Sequence, residues 1–197
     1  MSTGPRGGGI FIAVVLAAAI GGCLFPLWLS EHRSAQRMER ERLVFTALKN
    51  LASAEADFRF NDRDGNRVND YWTADLSELY RVGLIERGVA EADARPLQPL
   101  VPRPAPYQGY FFEALLLDES QSPPEAYAQI TDGKSGKVHN LHRFGFVAYP
   151  AGPESDGIFL FLINENNTVF RAGHQAIPVP KNWPKDKDLR TFWSKPS

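Results

Sequence analysis

Residues 61–70 read Asn-Asp-Arg-Asp-Gly-Asn-Arg-Val-Asn-Asp and hold the densest set of metal-capable side chains in the sequence. Oxygen-bearing side chains that alternate around a glycine can wrap a hard cation, because Ca²⁺ takes six to eight oxygens from a tightly turning loop. Asp62, Asp64, Asn66 and Asp70 are the candidate ligands. The spacing is not that of an EF-hand: with Gly65 at the glycine position, Phe60 falls at the first ligand position and no glutamate stands at the twelfth. The same residue types are also favoured where a helix ends and the chain reverses, since Asp, Asn and Gly tolerate left-handed backbone and bond locally. The sequence leaves both readings open, a turn and a Ca²⁺ loop.

Other chemistry is sparse. His139 and His142 stand three apart and His174 is alone. No HExxH pair accompanies them, so they read as solvated residues flanking a turn. Asp118 with Glu119, or Glu113, could pair as acid and base, but nothing around them favours it. There is no GxSxG elbow, no phosphate-cradling glycine loop and no Cys–His pair. The expectation is a protein that is not an enzyme, with no cofactor beyond a Ca²⁺ ion at residues 62–70.

The elements that must position these residues begin with residues 10–29, about twenty residues without a charge. That length matches the hydrocarbon thickness of a bilayer and predicts a transmembrane helix. The run continues through Leu27, Trp28 and Leu29, too far for a cleaved signal peptide. The single cysteine, Cys23, follows Ile20-Gly21-Gly22 and offers an alternative, a bacterial lipoprotein anchored through Cys23. With no second cysteine, the chain has no intramolecular disulfide and no cysteine-built metal site.

Beyond the apolar run there is no proline or glycine between Arg33 and Arg59. Val44, Leu48, Leu51 and Phe58, with Ala47 and Ala54, recur at helical spacing, so the helix continues with one apolar stripe. The remaining chain has a high share of aromatics and a net charge of −1 for the whole sequence, with the charges interspersed. A packed head is implied, and a nucleic-acid partner is not.

A long N-terminal helix, half apolar and half amphipathic, leading into a small head resembles bacterial type IV pilins and pseudopilins. Residues 47–58 (ALKNLASAEADF) look like the stretch where such a helix meets its head. Residues 144–150 (FGFVAYP) and 157–164 (GIFLFLIN) look like the terminal strands of pilin-like heads. Prepilins carry a glutamate five residues into the mature chain; counting from Ile10, Val14 stands there. The resemblance implies a non-enzymatic structural or interaction subunit of a cell-envelope assembly. It would sit in the cytoplasmic (inner) membrane as a single-pass protein with a periplasmic or extracellular head. Its partners would be the lipid bilayer and other proteins, copies of itself among them.

In the head, Thr73 to Tyr80 predicts a short helix capped by Thr73. Five prolines between residues 85 and 106 predict an extended excursion. Strands are predicted at 110–117, 126–131, 143–149, 157–164 and 168–172. The expected fold is α+β: a long N-terminal helix, transmembrane half plus amphipathic half, packed on a four- to five-stranded antiparallel sheet. The expected division is an anchor (1–30), an amphipathic stalk (31–60), a pilin-like head (61–176) and an irregular tail (177–197).

Overall fold

The computed structural model describes residues 8–99, 103–131, 136–152 and 157–196, with side chains described from residue 31 onward. Spatially the chain forms two compact units, Met1–Glu39 and Arg40–Ser197. In the first, the described backbone is helical from Gly8; the apolar side chains of residues 10–29 and the Cys23 thiol lie outside the described residues. The second unit holds the C-terminal part of helix α1 (Gly8–Asn61) and every other element.

The expected fold class is corrected in two respects. Among the described residues, no helix is long and apolar enough to cross a membrane. The described side chains of α1 start at Glu31, and from there charges recur along the helix. Nor does one four- to five-stranded sheet carry the head. Among the described residues, nine strands form three antiparallel sheets. Sheet A runs β1 (Tyr71–Trp72), β6 (Lys137–Asn140), β5 (Ile130–Thr131). Sheet B runs β2 (Tyr110–Ala114), β7 (Gly145–Pro150), β8 (Phe159–Asn164), β9 (Phe170–Gly173), and sheet C pairs β3 (Leu117–Asp118) with β4 (Glu125–Ala126). Apart from β6, the strands of sheets A and C are two residues long, too short to carry an alternation that a sequence pattern could reveal.

Sheet B is buried on both faces, which is why β8 reads Phe-Leu-Phe-Leu-Ile without polar alternation. One face presents Phe112, Phe146, Ala148, Phe161 and Ile163 to a core shared with Val44, Leu48, Leu51 and Phe58 of α1. The other presents Val147, Leu160, Leu162 and Ala172 to Leu115, Tyr127, Trp183 and Trp193. Those two tryptophans belong to the segment expected to be irregular. It instead carries helix α4 (Asp186–Phe192) and seals the second core.

Gly145 records how tightly that second core is packed. A Cβ built there would lie 2.9 Å from the Tyr127 ring and 3.0 Å from Leu115 Cδ1. Tyr127 is buried and cannot swing away. Gly145→Ala is therefore expected to destabilise the head by about 1–3 kcal/mol through overpacking. A lowered urea midpoint with unchanged m-value is the readout, and an unchanged midpoint contradicts the packing described.

The excursion between residues 85 and 106 contains helix α3 (Arg87–Glu91), and Asp93 then bridges Phe112 of sheet B in parallel fashion. Thr73 does not cap a helix. Its N–H and hydroxyl both donate to Val138 O, at 2.7 and 2.9 Å, extending the pairing of β1 with β6. Helix α2 starts later, at Ser77–Arg81.

Candidate metal centre

Helix α1 stops where its stripe has been used. Asp62 adopts a left-handed backbone (φ 46°), and Arg63 N–H reaches back to Phe58 O at 3.2 Å, a Schellman-type closure. The next residues coil into a loop held by its own side chains. Asp62 accepts from Arg67 N–H on both oxygens, at 3.2 and 3.1 Å. Asn66 Oδ1 accepts from Val68 N–H at 2.7 Å, and Asn66 Nδ2 donates to Asp64 Oδ2 at 2.9 Å. Asp62 and Asn66 are thus committed to shaping the loop, as the turn reading of the sequence expects.

The other two expected ligands, Asp64 and Asp70, face a residue that the sequence reading set aside. His139 projects from β6, where it sits between Trp72 of β1 and Ile130 of β5. Its ring stacks on Phe58 (6.5 Å, 28°) and meets Trp72 edge-on (5.4 Å, 83°). The imidazole is fully buried, with Nε2 3.6 Å from Asp64 Oδ2 and Nδ1 3.3 Å from Asp70 Oδ1. One donor atom from each of Asp64, Asp70 and His139 lies within 4.8 Å of the others.

Polar satisfaction sets this cluster apart. Neither nitrogen of His139 and neither oxygen of Asp70, which is 1% exposed, makes a hydrogen bond. The same holds for Oε1 of Glu55, a fully buried residue of α1. Each such atom costs about 1–3 kcal/mol if left without a partner. Glu55 Oε2 accepts the Trp72 N–H at 3.0 Å and so ties the helix to β1.

The carboxyls share one electrostatic problem. Burial raises Asp64 above the usual aspartate range; the Asn66 N–H and His139 oppose this, and Asp62 adds to it. Burial also raises Asp70, with His139 opposing and the Asp64 charge adding. Glu55 is raised well above its ordinary value, chiefly by burial, partly offset by the Trp72 N–H and reinforced by Asp75 and Asp70. Concentrated negative charge with little solvent is what a bound cation relieves.

The remaining candidates go elsewhere. Asp118 pairs with Arg143 at 3.0 Å and Glu119 accepts from Asn182 at 2.6 Å. Glu113 is engaged by Arg95 and by Tyr149 Oη. His142 is exposed and His174 half-buried, both away from the cluster of three.

Two residues of the centre escaped the sequence reading for different reasons. Glu55 lies four after Leu51 and three before Phe58, on the stripe itself, so a carboxyl facing the core was legible there. His139 gave no such signal, because its short strand is covered on both faces and lies far along the chain from the loop.

Nothing among curated proteins or solved structures matches the chain. Residues 30–176, well over half of the 197 residues, match the model of a family described as "Protein of unknown function (DUF2950)". The matched span includes the helix stripe, the acidic loop and His139, and the chain belongs to this DUF2950 family.

Proposed function

We propose that this chain is a non-enzymatic structural or binding module of the bacterial cell envelope, with a head held together by a divalent cation in the cluster that His139 forms with Asp64 and Asp70. One observation carries the reading: a fully buried imidazole lies between two carboxylates with both of its nitrogens lacking hydrogen bonds. An ion there would join three pieces of the unit, namely the helix-terminal loop, the approach to β1, and β6. The buried position argues for structure over catalysis, since the His139 imidazole is fully buried against Phe58 and Trp72. The Asp64 side chain, 12% exposed, leaves a way in for an ion. The apolar run at 10–29 supports an envelope location, and the likeness of residues 47–58, 144–150 and 157–164 to pilin segments supports protein partners, copies of the chain included.

The test is the thermal midpoint of the full chain, stripped with chelator and then titrated with divalent ions. Saturation at about a hundred times Kd supplies about 2.7 kcal/mol, or about 5–10 °C for a chain of this size. If no divalent ion at millimolar concentration moves the midpoint, the reading is lost.

A further inference from the structure

Resting on that reading, we infer that the centre takes an imidazole-accepting first-row divalent ion, of the Zn²⁺ or Mn²⁺ type, in preference to the Ca²⁺ that the loop composition suggests. Three observations carry it. The first is the loss of oxygen donors. Of the four candidate ligands in the loop, Asp62 holds the Arg67 N–H and Asn66 holds the Val68 N–H, while Asp64 accepts from Asn66 yet still faces His139. Only Asp64 and Asp70 remain directed at the site, well short of the six to eight oxygens that Ca²⁺ prefers.

The second is the nitrogen that replaces them. Imidazole suits Zn²⁺ and its first-row neighbours, whereas all-oxygen sets suit Mg²⁺ and Ca²⁺. His139 reaches the site already fixed: it is pinned by Phe58 below and Trp72 at its edge, and bonded to nothing else.

The third is spacing. An imidazolium clasped by two carboxylates would draw them to about 2.7–2.9 Å, the length of charge-assisted hydrogen bonds. The Nε2 to Asp64 separation is 3.6 Å. Two donors sharing one ion through bonds of about 2.1 Å stand roughly 3.0–3.5 Å apart, close to that value. Asp64 is nearer solvent than Asp70, so the assignment is His139 Nε2 and Asp64 as ligands, with water completing the shell. Asp70, 3.3 Å from Nδ1, would be the positioning residue, accepting the other ring N–H and fixing the tautomer once the ion is bound.

The experiment uses the full chain, stripped of metal and titrated calorimetrically with Zn²⁺, Mn²⁺, Ca²⁺ and Mg²⁺. His32→Gln with His142→Gln serves as a background that removes incidental zinc binding at the exposed histidines. The expected result is Zn²⁺ or Mn²⁺ binding at least about tenfold tighter than Ca²⁺. His139→Gln should abolish that binding, and Asp70→Asn should weaken it about 10–100-fold, the usual effect of losing an orienting carboxylate. Because His139→Gln could fail to fold, the parent protein supplies a second readout: Mn²⁺ at the site should show ¹⁴N coupling in pulsed electron paramagnetic resonance. Ca²⁺ binding as tight as Zn²⁺, or bound Mn²⁺ without nitrogen coupling, overturns the inference but leaves the structural cation in place. No binding by any ion removes both the inference and the structural cation.

Discussion

Phe58→Ala is expected to destabilise the head by about 3–5 kcal/mol, the usual range for deleting a buried aromatic ring. Phe58 is 1% exposed and ends the apolar stripe of α1. Its ring lies 6.5 Å from His139 and 6.4 Å from Trp72, so it is both core filler and floor of the centre. Removing it opens space directly beneath the imidazole, and the ring it supported can tilt away from Asp64. Two effects should therefore appear together: a large fall in urea midpoint, and a loss of cation-induced stabilisation beyond what the fall alone explains. Phe58→Leu, which keeps most of the volume, should retain most of the stability and part of the cation response. A loss below about 1 kcal/mol for the alanine variant would show that the helix end is not packed as described.

The second large effect is a pH dependence centred on Asp93. Asp93 is 2% exposed and accepts the N–H groups of Leu76 and Arg95 at 2.7 and 2.8 Å, tying the start of α2 to the chain after α3. Burial pushes its carboxyl up to about 7; the two N–H donors oppose this, and Asp75 and Glu113 add to it. The sign follows from proton counting. Between pH 4 and pH 7 the folded protein keeps a proton that the unfolded chain, at the ordinary aspartate value, has released. Stability from this group is therefore full below about pH 4, falls as pH rises, and is gone above about pH 7. The ceiling is about 4 kcal/mol over that window, from about three pH units at 1.36 kcal/mol each. Urea unfolding at pH 5 and pH 7.5 reads it directly. Glu55 is shifted in the same direction and contributes a slope of the same sign. The decisive comparison is thus Asp93→Asn, which should flatten the dependence by one proton's worth whatever its absolute stability. An unchanged slope in that variant refutes the assignment.

These two residues also mark how legible the protein was. Phe58 could be read from spacing alone, as the last member of a stripe with Val44, Leu48 and Leu51, all of them buried. Asp93 could not. It stands in a proline-rich stretch, and only the folding of that stretch against Phe112 of sheet B buries it. Helix and longer strands follow local rules, since a 3.6-residue period or a run of aromatics is written within ten residues. The three-sheet arrangement is not local. Tyr71 and Trp72 form a strand only because Asn140 and His139 arrive to pair with them.

The sequence by itself determined the apolar stripe, the end of helix α1 near residue 61, the strand-forming segments of sheet B, and an acidic loop able to turn or to hold an ion. Tertiary structure decided which of the loop's carboxylates face the buried histidine. The left-handed turn at Asp62 uses that residue and Asn66 for backbone hydrogen bonds and leaves Asp64 and Asp70 facing inward. It also decided the third member, because His139 reaches them only through the pairing of β6 with β1. The physical reason is one of range. Turn chemistry is settled among neighbours in the chain, whereas a centre built from a loop and a distant strand exists only once long-range pairing has closed it.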